Sequence, residues 1–197
     1  MRDGLKPGVF CIALLPFVYL FWAAWVDALG PNPAEALIRA TGDWTLRLLC
    51  VVLAVTPLRV IFHWSSLARV RRMLGLFVYF YACLHLSAYA WFDMGFEFQE
   101  IVIDIGKRPF ILVGFVSWMI LSALAATSWN GAIRFLGAAR WRSLHRLVYG
   151  VASLAILHFF WMRAGKNDFA EVLVYGAVIG SLLAWRVLQA VGRAKPR

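Results

Sequence analysis

Apolar residues in this chain gather in long unbroken runs, not in the alternation of a half-buried strand or the narrow stripe of a surface helix. Six runs can be marked, at about 8–26, 44–62, 73–92, 109–128, 143–161 and 169–188. At 1.5 Å of helical rise per residue, a run of about 18 to 20 residues crosses a hydrocarbon layer of ~30 Å. Backbone polar groups in that layer must bond to one another, so the pattern predicts an all-α integral membrane protein with six transmembrane helices in a bundle. The links are short and none could bury a core of its own, so residues 1–197 are expected to form a single membrane domain.

Composition agrees with the pattern: 62% of residues are hydrophobic, 15% are charged and the mean hydropathy is +0.73. The net charge of +10 could suggest a nucleic-acid partner, but its distribution follows the spans. With an inside N-terminus, fourteen of the twenty basic residues and only Asp3 among the ten acids fall on the inner side. Six basic residues and nine acids fall on the outer side. Positive charge favours the cytoplasmic face, so both termini are expected there, with lipid and no nucleic acid as surroundings.

Most tryptophans lie near span ends, where indole is half buried and its N–H stays wet; Trp118 alone falls mid-span. Cys11, Cys50 and Cys83 sit singly in three different spans, with no CxxC or CxxCH spacing, and read as packing residues. The first run follows Arg2 and Lys6 but is long and lacks a small-residue cleavage site, so it reads as a retained span. Thr56-Pro57 near the inner end of the second run predicts a kink, with Thr56 or water serving the carbonyl that proline leaves free. FEFQEIVIDIG, in the longest outer link, predicts a short interfacial helix. No internal repeat, GxGxxG or P-loop is evident.

The chain has four histidines, and three fall in spans, where an imidazole needs a partner. On the helical ruler His85 lies roughly 5 Å and His158 roughly 6 Å outward of the bilayer centre. Spans 3 and 5 run in the same direction, so the two imidazoles are expected to face one gap at one depth. A planar macrocycle with an axial ligand on each face would fill it, whereas zinc would ask for further ligands that are not evident beside the pair. His145 lies roughly 13 Å inward, and an ideal helix turns it about 220° away from His158. It therefore cannot share an iron with His85 on straight helices, and stacking two macrocycles would need a distortion, for which Gly150 is the candidate. His63 reads as a solvated interfacial residue.

Several arginines admit two readings. Arg47, one turn inside the outer end of span 2, either snorkels to the interface or meets a haem propionate, and Arg108, beside Lys107 and ahead of Pro109, faces the same choice. Arg69, Arg71, Arg72, Arg134 and Arg140 form a basic inner rim, read first as the topology signal. The rim could also hold a flavin phosphate or dock a reductase, with Arg69, Arg71, Arg72 and Arg140 as the candidate contacts.

TPLR at 56–59, RRMLGLFVYFYACLHLSAYA at 71–90, KRPFILVGFVSW at 107–118, LAATS at 124–128 and RWRSLHRLVYGVASLAILHFFW at 140–161 together resemble a known family. It is the MsrQ (YedZ) family of haem-binding membrane subunits of the bacterial periplasmic methionine sulfoxide reductase system, within the ferric-reductase-like transmembrane group. The resemblance covers about residues 40–190. It implies haem b, one or two groups, held at His85, His145 and His158, and an associated FMN. It also implies electron delivery from the quinol pool or a cytoplasmic flavin reductase to the periplasmic molybdopterin enzyme MsrP, which repairs oxidised methionines. Related ferric reductases and NADPH oxidases carry two histidines on each ligand helix, and here span 3 offers only His85. The rival readings are a haem quinol oxidase or metal reductase acting alone, and a non-redox small transporter or assembly factor.

Overall fold

A computed structural model describes residues 4–165 and 167–194; Arg2, Asp3, Lys166, Lys195 and Arg197 of the charge tally lie outside the described residues. Among the described residues nine α-helices follow one another: α1 (Leu5–Trp25), α2 (Pro33–Ile61), α3 (Arg71–Ala88), α4 (Phe98–Lys107), α5 (Pro109–Ala126), α6 (Asn130–Leu136), α7 (Ala138–His145), α8 (Leu147–Ala164) and α9 (Ala170–Ala194). Among the described residues six segments are long and apolar enough to cross a membrane, with α7 and α8 acting as one and α3 extended to Asp93 by a π-helical turn. Apolar side chains such as Ile12, Leu15, Phe21, Leu173, Val187 and Leu188 stand exposed on α1 and α9. Such faces suit acyl chains and would aggregate in water.

The second span begins eleven residues earlier than the apolar run suggests. Asn32 caps α2 by accepting from the Glu35 N–H at 3.2 Å, and Pro33 occupies the first turn, where its missing donor costs nothing. Glu35 and Arg39, which interrupt the run, pair one turn apart. The result is a 29-residue helix whose first part carries Ile38 and Gly42.

α2 packs most extensively on α3, and α5 on α8. Leu49, Leu53, Val70, Val78, Tyr81 and Val151 are fully buried in one apolar core. Two proline-bearing helices are tied in by side chains from their neighbours. In α1, beside Pro16, the Tyr81 hydroxyl donates to the Ala13 carbonyl and accepts from the Phe17 N–H, both at 2.9 Å. In α2, Pro57 cannot donate to Leu53, and the guanidinium of Arg186 on α9 takes that carbonyl. The partner of the freed group is thus an arginine from a distant helix, in place of the Thr56 or water expected at the kink.

The FEFQEIVIDIG stretch forms α4, with Phe98, Val102 and Ile103 exposed. The π turn at Tyr89–Asp93 aims Tyr89 at this helix, and its hydroxyl donates to Asp104 at 2.5 Å. Asp104 also pairs with Arg108. Gly137, at φ +77°, separates α6 from α7, a conformation that side chains with a Cβ rarely adopt.

Candidate functional site

His85 on α3 and His158 on α8 meet edge to face, with ring centres 6.2 Å apart and planes at 79°. Each ring makes its hydrogen bond through Nδ1: His85 to the Ile38 carbonyl at 2.9 Å, and His158 to the Phe110 carbonyl at 2.6 Å. A carbonyl only accepts, so Nδ1 must carry the proton in both rings. Nε2 then keeps its lone pair in each, the arrangement in which imidazole binds a metal while a backbone oxygen fixes its orientation.

The same device serves both rings. The accepting carbonyl lies 47 residues before His85 and 48 before His158, on the helix packed against it. Four residues beyond each carbonyl stands a glycine, Gly42 or Gly114, in contact with the imidazole. Three residues beyond each glycine a hydroxyl, Thr45 or Ser117, bonds back to the carbonyl of Thr41 or Val113 at 2.9 Å. Nothing in a residue-by-residue scan marks this correspondence, because the two stretches, GDWT and GFVS, share only a glycine and a hydroxyl.

Two imidazoles bound through Nε2 to opposite faces of one metal, at bonds of about 2 Å, have ring centres roughly 6 Å apart. The observed 6.2 Å fits that separation. Among the described residues no cluster of three or more histidine, cysteine or carboxylate side chains could hold a metal ion, so the pair suits a metal whose other ligands come from a macrocycle.

His145 stands apart. It ends α7, its Nε2 lies 3.1 Å from the Thr127 hydroxyl, and its ring stacks on Trp141 at 4.0 Å. The helix does break after it, at Arg146, whose N–H is shared between the carbonyls of Arg142 and Ser143. The distortion falls there and not at Gly150. His145 lines a cavity of about 390 Å³ with Arg71, Arg72, Arg142, Arg146 and Tyr149. Arg71 is fourteen residues before His85 on α3, a spacing that returns nearly to the same face. Arg72 also bonds the Asn130 side chain at 2.8 Å. Arg69 and Arg140 are exposed and do not line the cavity.

At the other end of the bundle, Arg47 donates to the Tyr175 hydroxyl at 3.1 Å and lies over Trp44. Arg108 holds Asp104 and lies over the ring of Phe110, the residue whose carbonyl orients His158. Asp104 keeps a carboxyl below the usual range because Arg108 hydrogen-bonds it, and Arg108 is raised in turn. His63 is exposed, at φ +55°.

The membrane bundle that carries this facing histidine pair matches, over residues 41–157, the family described as a ferric reductase like transmembrane component. Over its whole length the chain is 62% identical to the "protein-methionine-sulfoxide reductase heme-binding subunit MsrQ" of Polaromonas naphthalenivorans (strain CJ2), covering 90% of that protein. Proteins of the same name from Herminiimonas arsenicoxydans and Bordetella pertussis (strain Tohama I) are each 50% identical, over 94% and 93% of this chain and 85% and 88% of theirs. The chain belongs to the MsrQ family. No solved structure matches it.

Proposed function

We propose that the chain is the haem b electron-transfer subunit of a bacterial inner-membrane methionine sulfoxide reductase system. It would pass electrons from the quinol pool or a cytoplasmic flavin reductase to a periplasmic molybdopterin enzyme, MsrP, that repairs oxidised proteins. The observation that carries this reading is the facing pair of His85 and His158, each with its proton fixed on Nδ1 by a backbone carbonyl. The names of the relatives supply the group that such a pair would hold. A haem with both axial positions filled supplies one-electron transfer and leaves no site for substrate at the metal.

His85 and His158 would hold the haem through Nε2, while the carbonyls of Ile38 and Phe110 keep the rings in register. Arg108, over Phe110, and Arg47 are the candidates to answer haem carboxylates, in exchange for Asp104 and Tyr175. The cavity around His145 is the electron entry side. Its arginines favour an anionic visitor, and Arg69 and Arg140 extend the positive field around it. A second haem or the FMN of the family resemblance belongs at this end. The excess of basic residues at this end supports a cytoplasmic orientation for it, and reporter fusions in the segment of Arg134 should then read cytoplasmic and those after Glu100 periplasmic.

The decisive experiment is the reduced-minus-oxidised visible spectrum of the purified chain. It should show low-spin haem b, lost in His85→Ala and in His158→Ala and unchanged in His63→Ala. No Soret band after haem-replete expression would favour a non-redox role. A normal spectrum in His158→Ala together with its loss in His145→Ala would reassign the ligands.

A further inference from the structure

The two glycines beside the histidine pair leave little or no room for a side chain against the rings. A Cβ built on Gly114 would lie 2.9 Å from Cε1 and 3.0 Å from Nδ1 of His158. One built on Gly42 would lie 3.1 Å from Cε1 and 3.2 Å from Nδ1 of His85. Neither ring can swing aside freely, because its Nδ1–H is committed to a carbonyl one turn away on the same helix as the glycine. Each imidazole is therefore seated between a backbone acceptor and the bare face of a glycine.

We propose that Gly42 and Gly114 are positioning residues which set the planes of His85 and His158, and through them the perpendicular presentation of two axial ligands to one iron. This rests on the reading that the pair holds haem. The observed angle of 79° between the rings is the property the seats maintain. Perpendicular axial imidazoles give a strongly anisotropic low-spin ferric signal, and rotation toward parallel makes that signal more rhombic. A methyl at 114 makes a contact that real Cβ atoms essentially never show, so His158 must leave the Phe110 carbonyl or α5 and α8 must part. A methyl at 42 asks His85 to give by only a few tenths of an ångström. The two seats are alike in construction and unequal in tolerance.

The test compares Gly42→Ala, Gly114→Ala and Gly180→Ala in the full chain; an added Cβ at Gly180 meets nothing within 4 Å. The readouts are haem per chain, the low-temperature EPR spectrum of the ferric protein, the midpoint potential, and detergent melting as a check on folding. Gly180→Ala should match the parent in all four. Gly42→Ala should keep its haem with a shifted EPR signal and potential. Gly114→Ala should lose more than half of its haem, or keep it with the larger shift. Parent-like haem content, EPR and potential in Gly114→Ala would overturn the proposal. Were that variant not to accumulate, the same parent-like result in Gly42→Ala would overturn it. His85→Ala and His158→Ala run alongside: if either keeps the parent's low-spin haem, the reading that this pair holds the haem fails, whereas haem loss in both with silent glycine variants sinks the seats alone.

Discussion

Arg186 of α9 donates to the carbonyl of Leu53 on α2, the group that Pro57 leaves without its helical partner. The same guanidinium also bonds the Leu182 carbonyl of its own helix at 2.7 Å and lies over the ring of Tyr149, which lines the cavity of His145. One side chain thus joins a proline break, the last span and the wall of the proposed entry site.

Replacing Arg186 by Gln should cost about 1–2 kcal/mol, since the lost bond has a charged donor while lipid-embedded reference states recover part of it. The measurement is thermal melting of the purified chain in detergent. Pro57→Ala restores an N–H to Leu53, so Arg186→Gln should cost less in that background. Equal losses in both backgrounds would show that Arg186 acts elsewhere.

The Asp104–Arg108 pair gives a pH dependence whose sign follows from its geometry. Arg108 depresses the Asp104 carboxyl below its unfolded value of 3.8. A depressed carboxyl contributes fully above the unfolded value and loses its contribution as pH falls through the folded one. The tie between α4, Tyr89 and the start of α5 should therefore hold at neutral pH and release only below about pH 3.8. A spin label on exposed Val102 should gain mobility in that acid range. Asp104→Asn should show the mobile spectrum at pH 7, and a label insensitive to both changes would mean that α4 is held by its apolar face alone.

How much of this could be read from residues alone depends on whether a feature has a side-chain signature. The six spans and α4 were legible because bilayer thickness and amphipathic spacing write themselves into hydropathy. The first turns of α2 were not, because Glu35, Arg39 and Asp43 break the apolar run. The Asn32-Pro33-x-Glu35 start signal was nonetheless present, and it would have brought Ile38 and Gly42 into the helix. His85 and His158 could be matched by depth with a ruler of 1.5 Å per residue. Their orienting partners could not, since a backbone carbonyl has no sequence identity and a glycine in an apolar run looks like any other. Arg186 counted only as an inner-side charge, and its bond to Leu53 depends on how α9 lies across α2.

The last prediction concerns His145, whose surroundings differ from those of the facing pair. Its Nε2 meets the Thr127 hydroxyl, its ring is stacked on Trp141, and Arg71 and Arg72 share its cavity. A ring so placed can contact an anionic or aromatic donor without being a ligand of the haem proposed at His85 and His158. His145→Ala should therefore slow reduction by the physiological donor at least tenfold, or about 1.4 kcal/mol of barrier, while the spectrum of the haem proposed at His85 and His158 persists. Dithionite is small and needs no docking site, so it should reduce the variant at the parent's rate. Stopped-flow traces with both reductants, at matched haem content, separate the two effects. Equal slowing by donor and dithionite would instead place His145 among the groups that hold or shape the haem itself, because a defect confined to entry cannot affect a reductant that bypasses it.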